Sequence, residues 1–335
     1  MWYRFIRPLL FALDPELSHD FTLNALKLLH AMGGFRQSAL SSPHSIHCMG
    51  LTFANPIGLA AGLDKNGICL PIWQALGFGF VEVGTVTPKP QVGNPKPRLF
   101  RLISDRALIN RMGFNNKGVD SLVDQLKIYR LTCPIGVNIG KNKDTSLTDA
   151  PLDYRDCFEK VYPYADYVTV NLSSPNTPGL RALQHGEMLK AILLPLKETQ
   201  QVLSDQYQKK VPLVVKISPD LQAEEIKMIV EDLMNLGVEG IIATNTTLQR
   251  PSFLQDRHAK EEGGLSGEPL FERSTEIIKQ IYQQAGEALA IIAVGGIFNA
   301  EQAKAKFVAG AKLVQLYTGL IYQGPGLVKE LRRAF

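Results

Sequence analysis

The stretch Asn171-Leu172-Ser173-Ser174-Pro175-Asn176-Thr177-Pro178-Gly179 sets two carboxamides and two hydroxyls within six residues. It follows Tyr167-Val168-Thr169-Val170, an apolar β-branched run that reads as a buried strand, and its prolines and glycine fix a turn rather than a helix. A strand ending this way presents uncharged donors and acceptors to a ligand, or else caps the following helix. One such loop does not separate these readings, but the chain repeats the arrangement along its length.

Other apolar runs end in a similar way: Ala60-Ala61-Gly62-Leu63-Asp64-Lys65-Asn66, Gly84-Thr85, Asn138-Ile139-Gly140, Lys216-Ile217-Ser218, Thr244-Asn245-Thr246, Gly295-Gly296 and Tyr317-Thr318-Gly319. Small residues at the first let a flat ligand approach the backbone. The last two, with a short helix expected after Gly324-Pro325-Gly326, form a cradle of backbone N–H groups suited to a phosphate. The glycine loop Gly263-Gly264-Leu265-Ser266-Gly267 adds to the same ligand. Lys216 closes an apolar strand, where an unpaired charge is costly, so an anionic partner is expected. A Schiff-base lysine and a cation beside flavin mononucleotide (FMN), stabilising negative charge near N1 of the ring, both fit. Lys65 suits a substrate carboxylate. Asn110, Asn171, Asn176 and Asn245 match a planar ring bearing N–H and C=O groups, since each offers an acceptor and a donor pair. Ser174 lies between two of them, placed to take a proton, and no His or Asp partner suggests a hydrolytic triad.

These residues need a scaffold that brings many strand ends together. Short apolar runs alternate with amphipathic stretches, which predicts strands at 56–61, 81–86, 135–139, 167–172, 213–217, 240–244, 290–294 and 313–317. Helices are expected at 119–128, 187–203, 223–236, 274–284 and 300–309. Eight parallel units in 335 residues indicate an α/β fold, a (β/α)8 TIM barrel. A dinucleotide-binding fold is disfavoured because no GxGxxG follows the first strand. Residues 46–54 read as a hairpin closing the barrel bottom, and 98–110 as a hairpin inserted after the second strand.

Composition excludes several classes. A formal charge of +4, without a basic block interleaved with aromatics, argues against nucleic acid. Four scattered cysteines without a CxxC pair read as reduced thiols in or near the core, and six histidines without HxH or HExxH spacing predict no metal. Before the barrel comes a leader. Residues 1–13 are mostly apolar, with Trp2, Tyr3 and Phe5, but Arg4 and Arg7 interrupt them and Asp14 and Glu16 follow, so no run is long enough to span a bilayer. Asp14-Pro15-Glu16 is a helix start, predicting a helix to about Ala31 that stops at Gly33-Gly34, with Leu17, Phe21, Leu28 and Met32 near one face. Two short apolar helices fit a segment lying on a membrane, although pattern alone slightly favours packing on the main domain.

Taken together, Ala60–Lys65, Asn110-Arg111-Met112-Gly113-Phe114-Asn115-Asn116, the Asn171–Gly179 stretch, Gly263–Gly267 and Leu316–Gly319 resemble dihydroorotate dehydrogenase in its class 2, quinone-dependent, membrane-associated form. The resemblance covers essentially the whole chain. It implies a barrel over residues 41–335 holding FMN, a leader over residues 1–40 giving access for a membrane quinone, and oxidation of dihydroorotate to orotate in pyrimidine synthesis. By this resemblance Ser174 is the catalytic base, where class 1 enzymes carry cysteine. Substrate contacts fall on Lys65, Asn110, Arg111, Met112, Gly113, Phe114, Asn171, Asn176, Asn245 and Thr246. Cofactor contacts fall on Ala61, Gly62, Leu63, Asp64, Lys65, Thr85, Asn138, Asn171, Lys216, Thr244, Gly267, Gly296, Tyr317 and Thr318. A quinone site falls on His19, Arg101 and Tyr317. The resemblance also turns the leader towards the membrane reading, with lipid contact expected at the cytoplasmic face of a bacterial inner membrane. The runner-up is another FMN barrel oxidoreductase, such as a class 1 enzyme with a soluble acceptor. A tRNA dihydrouridine reductase is disfavoured because it should carry a basic RNA-binding extension. A non-catalytic flavin-binding membrane module is the alternative from another class.

Overall fold

The computed structural model describes residues 3–35 and 45–335. Trp2 and the expected boundary between leader and barrel at 40–41 lie outside the described residues. Eight strands close into a barrel whose neighbouring pairs are all parallel: β3 (Ile57–Leu59), β4 (Phe80–Val86), β7 (Ile135–Ile139), β8 (Tyr167–Asn171), β9 (Leu213–Ile217), β10 (Gly240–Ala243), β12 (Ala290–Val294) and β13 (Leu313–Leu316). These strands are almost wholly buried, which explains their continuous Val/Ile/Leu runs. The eight expected strands are all present, with ends differing by a few residues.

Helices cover the outside: α3 (Leu70–Ala75), α4 (Val119–Ile128), α5 (Ala150–Val161), α6 (Gly186–Tyr207), α7 (Ala223–Asn235), α8 (Phe271–Ala285) and α9 (Ala300–Val308). The chain then closes with α10 (Thr318–Gln323) and α11 (Gly326–Ala334). The hairpin of β1 (Ile46–Cys48) and β2 (Leu51–Phe53) puts Phe53 edge-on against Phe80, whose ring also meets Tyr167. The insertion after β4 is the expected hairpin, β5 (Leu99–Leu102) and β6 (Ala107–Asn110). The sequence read Gly263–Gly267 as a loop. It is instead largely strand, β11 (Gly264–Gly267), because it pairs antiparallel with β6 and completes a three-stranded sheet beside the barrel mouth.

The leader forms α1 (Tyr3–Ala12) and α2 (Pro15–Ala31). The Asp14 carboxylate caps α2, accepting from the amides of Glu16 and Leu17 at 3.0 and 2.9 Å. Helix α1 rests on α10, since Tyr3 Oη donates to the Ile321 carbonyl and Arg7 Nη1 to that of Tyr322. Helix α2 is amphipathic in an inverted sense. Its buried residues are Glu16, Ser18 and Leu23, while Leu17, Phe21, Leu28 and Met32 are 58–66% exposed.

Candidate active site

The carboxyl ends of the barrel strands enclose a cavity of about 1000 Å³, its open mouth included. Its wall contains the expected Ala61, Gly62, Lys65, Thr85, Asn110, Met112, Gly113, Phe114, Asn171, Ser174, Asn176, Lys216, Thr244, Asn245, Thr246, Gly267, Gly296, Tyr317 and Thr318. Residues scattered over more than 250 positions therefore meet, because a parallel barrel brings every strand's carboxyl end to one face.

The carboxamides form a connected set. Asn138 Nδ2 donates to Glu82 Oε1 at 2.8 Å, and Asn138 Oδ1 accepts from Thr85 Oγ1 at 2.5 Å and Asn171 Nδ2 at 3.1 Å. Asn245 Nδ2 donates to Asn171 Oδ1 at 3.2 Å and to Ser173 Oγ at 3.0 Å, and Asn176 Nδ2 donates to Asn110 Oδ1 at 3.1 Å. Each amide's orientation is thus fixed by its neighbour. Ser174 is 6% exposed, and its Oγ accepts from the Asn176 amide at 3.3 Å. Phe114 is held in the left-handed backbone region at φ +55°, a costly conformation for an aromatic residue. Gln91 Nε2 and Asn116 Nδ2 hold it there, both donating to the Phe114 carbonyl.

Two cations enter this neutral setting. Lys65 and Lys216 both line the cavity, and neither ammonium has a hydrogen bond or ion pair among the described residues. Burial pulls Lys65 down to about 8, with the Arg98 charge pushing the same way and Glu16, Asp20 and Asp64 opposing. Burial also lowers Lys216, against the opposing field of Glu82. Such groups favour an anionic ligand.

The opposite wall fits a phosphate-bearing, flat group. Gly295 and Gly296 follow β12, and a Cβ on Gly296 (φ +74°) would lie 2.4 Å from Phe271 Cβ, so backbone alone fits there. The first amides of α10 have no helix carbonyl one turn back, and Thr318 Oγ1 meets Ser266 Oγ at 2.8 Å beside them. Across the cavity a Cβ on Gly62 would come within 3.2 Å of the Tyr317 ring. Gln315 lines the cavity too, with Nε2 committed to Glu82 at 2.7 Å and Oε1 left without a partner.

Several expected residues lie elsewhere. Leu63 is buried outside the cavity wall. Asp64 is wholly buried beside it, and its carboxylate accepts from the amides of Ile68 and Cys69 and from Trp73 Nε1. That side chain organises the start of α3. Asn138 sits one layer below the cavity, holding Thr85 and Asn171. Arg111 turns outward, pairing with Glu261 at 2.8 Å and lying over the Phe100 ring. Arg101 donates to the carbonyls of Phe11 and Leu13 at the end of α1 and sits 4.7 Å over the Phe11 ring. Phe11 and Tyr317 pack into one cluster with Phe298 and Tyr322, so Tyr317 touches both the cavity and the leader. His19 is half-buried on α2, and burial, with the Lys65 charge, lowers it to about 4. Sequence reasoning missed Glu82 and Gln315, and took Ser266 only as part of the Gly263–Gly267 loop. For the first two a signal existed: one polar residue inside an otherwise apolar barrel strand.

The dihydroorotate dehydrogenase family model matches residues 44–335. The chain belongs to the dihydroorotate dehydrogenase family. The chain is 52% identical over 337 residues to the dihydroorotate dehydrogenase (quinone) of Vibrio parahaemolyticus, covering 99% of each. To that of Acinetobacter baylyi it is 52% identical over 330 residues, 98% of each. A crystal structure of the Eimeria tenella dihydroorotate dehydrogenase with ferulenol superposes with a TM-score of 0.88 at 42% identity, covering 96% of this chain and 90% of that one. Members of this dehydrogenase family are flavin-dependent, in keeping with a cavity that holds two ammonium groups without a partner among the described residues.

Proposed function

We propose that the chain oxidises dihydroorotate to orotate with a quinone as final acceptor, as a step of pyrimidine synthesis. The observation that carries this reading is a single cavity lined by four asparagines, one serine and two lysines whose ammonium groups have no partner among the described residues. A carboxylate-bearing cyclic amide satisfies that set. Lys65 takes the carboxylate, while Asn110, Asn171, Asn176, Asn245 and Thr246 pair with the ring N–H and C=O groups. Met112, Gly113 and Phe114 close over it.

FMN is the cofactor this reading assigns: Gly296 and Thr318 would hold its phosphate, and Ala61, Gly62, Thr85, Thr244 and Lys216 would hold its ring. When bound, it supplies the acceptor for the hydride that leaves C6 of the substrate. Ser174 Oγ takes the C5 proton as its own hydroxyl proton passes to water, and the C5–H electron pair becomes the second bond of C5=C6 while the C6–H pair leaves with the hydride. The asparagine network fixes the substrate ring against rotation while this happens.

His19, Arg101 and Tyr317 are the quinone-side residues of this reading. His19 is uncharged at neutral pH, and Arg101 and Tyr317 supply a cation and a hydroxyl for quinone carbonyls. Phe5, Leu9, Phe21 and Leu28 are 59–78% exposed on the two leader helices, and no described helix is long and apolar enough to cross a membrane. The exposed apolar face supports a leader lying on a membrane surface, which this reading assigns to the cytoplasmic face of the inner membrane. Flotation with anionic vesicles checks it: Phe5→Glu/Phe21→Glu protein should stay at the bottom of the gradient, and co-flotation equal to wild type would contradict the membrane role.

Anaerobic titration with dihydroorotate tests the chemistry. The yellow flavin-loaded protein should bleach stoichiometrically, and Ser174→Ala should bind FMN normally yet bleach about 10³-fold more slowly at neutral pH. Protein that takes up no FMN, or wild type that stays yellow, overturns the reading.

A further inference from the structure

Helix α2 reaches the substrate pocket through an unbroken polar chain. Glu16 and Arg98 are each 7% exposed and meet in a two-pronged pair, Nη2 to Oε1 at 2.7 Å and Nε to Oε2 at 3.1 Å. Burial would raise the Glu16 carboxyl, but Arg98, with Lys96, holds it below the usual carboxylate range. The other arm of the guanidinium, Nη1, donates to the carbonyls of Val92 and Asn94 at 2.6 and 2.7 Å. Asn94 Nδ2 then donates to the Asn176 carbonyl at 3.2 Å and to that of Arg111 at 3.1 Å, while the Asn94 amide donates to the Met112 carbonyl. The Asn176 amide donates to Ser174 Oγ.

We infer that Glu16, Arg98 and Asn94 form a strut that makes the docking of α2 and the filling of the substrate pocket interdependent. The inference rests on the reading of that pocket as the dihydroorotate/orotate site. The strut ends on both walls of the pocket: Asn176 on the loop carrying Ser174, and Arg111–Met112 on the segment leading to Phe114. A leader held in place fixes where Asn176 stands, and a ligand gripping Asn176 holds the leader. Any such coupling is reciprocal. None of the three residues lines the cavity, so they are positioning residues.

The test uses full-length, FMN-loaded protein in detergent with orotate as the probe. Asn94→Ala cuts the side-chain arm to the Asn176 and Arg111 carbonyls. It keeps the backbone bonds to Arg98 and Met112 and the Glu16–Arg98 charges, and hence the field at Lys65. Orotate should slow hydrogen exchange along 15–31 in wild type, and most of that protection should be lost in Asn94→Ala. The same variant should bind orotate about fivefold more weakly. Adding Asn94→Ala to Asn176→Ala should cost under twofold, since contacts acting through one another are not additive. Glu16→Gln supplies a second break at the leader end if Asn94→Ala proves unstable. Equal orotate protection of 15–31 in wild type and variants, no protection in wild type, or fully additive losses overturn the strut. Wild type that fails to bind orotate at all would instead overturn the reading of the pocket, so the two failures are distinguishable.

Discussion

The floor of the barrel and its mouth both hold buried polar groups, and they treat them in opposite ways. On the floor the Glu82 carboxylate is fully buried and accepts from Asn138 Nδ2, Tyr167 Oη and Gln315 Nε2 at 2.7–2.9 Å. At the mouth Lys65 and Lys216 have no such partner among the described residues. Buried charge is tolerated where the fold supplies donors or where a ligand will supply the missing half. The contrast therefore separates groups that serve the fold from groups that wait for a molecule. Gln315 spans the two, with one end committed to Glu82 and the other without a partner.

Removing the floor carboxylate should be the harshest change. Glu82→Leu leaves three donors unpaired and takes away the negative field opposite Lys216. We expect a loss of about 3–5 kcal/mol in urea unfolding of the flavin-loaded protein. A loss under about 1 kcal/mol would mean that the floor is not held by this carboxylate, and the contrast with the mouth would collapse.

The mouth should respond in the opposite sense. Lys65→Met removes a charge that has no partner among the described residues, so folding stability at pH 7 should rise, by at most about 3 kcal/mol. Orotate affinity should fall about 100-fold, because the ligand carboxylate loses its cation. Calorimetry on one preparation measures both. A variant that is less stable and binds orotate normally would place Lys65 among the structural groups.

This division also explains what the sequence could disclose. Lys216 was legible because a lone cation in Leu-Val-Val-Lys-Ile has no structural reason to be there, and the same argument applied to Phe-Val-Glu-Val would have found Glu82. The eight strands were legible from their apolar, β-branched runs, and α2 from the Asp-Pro-Glu start. By contrast, β11 reads as a glycine loop because its strand character comes from pairing with β6, more than 150 residues away. Helices α3 and α10 are six residues each, too short to show a period. The Asp64 side chain looks like a ligand because it sits within Ala60–Lys65, yet the three donors that claim it, Ile68, Cys69 and Trp73, come from later in the chain at the start of α3. The Glu16–Arg98 pair joins positions 82 apart and leaves no local pattern.

The mildest probe of the contrast is pH. Lys65 in the free protein is drawn down to about 8, chiefly by burial. A lysine whose folded value lies below its unfolded one is destabilising while charged, so this penalty is present below about pH 8 and disappears as pH rises towards the unfolded value. Binding runs the other way. The ligand carboxylate needs the ammonium form, so above pH 8 each binding event must also capture a proton. The apparent orotate Kd should then rise about tenfold per pH unit, starting near pH 8 and flat below it. Lys65→Arg keeps its charge throughout this range, and its profile should stay level across pH 7–9 even if its affinity is lower. A wild-type profile as flat as that of Lys65→Arg would show that the carboxylate does not rest on Lys65, and would move that role to Lys216.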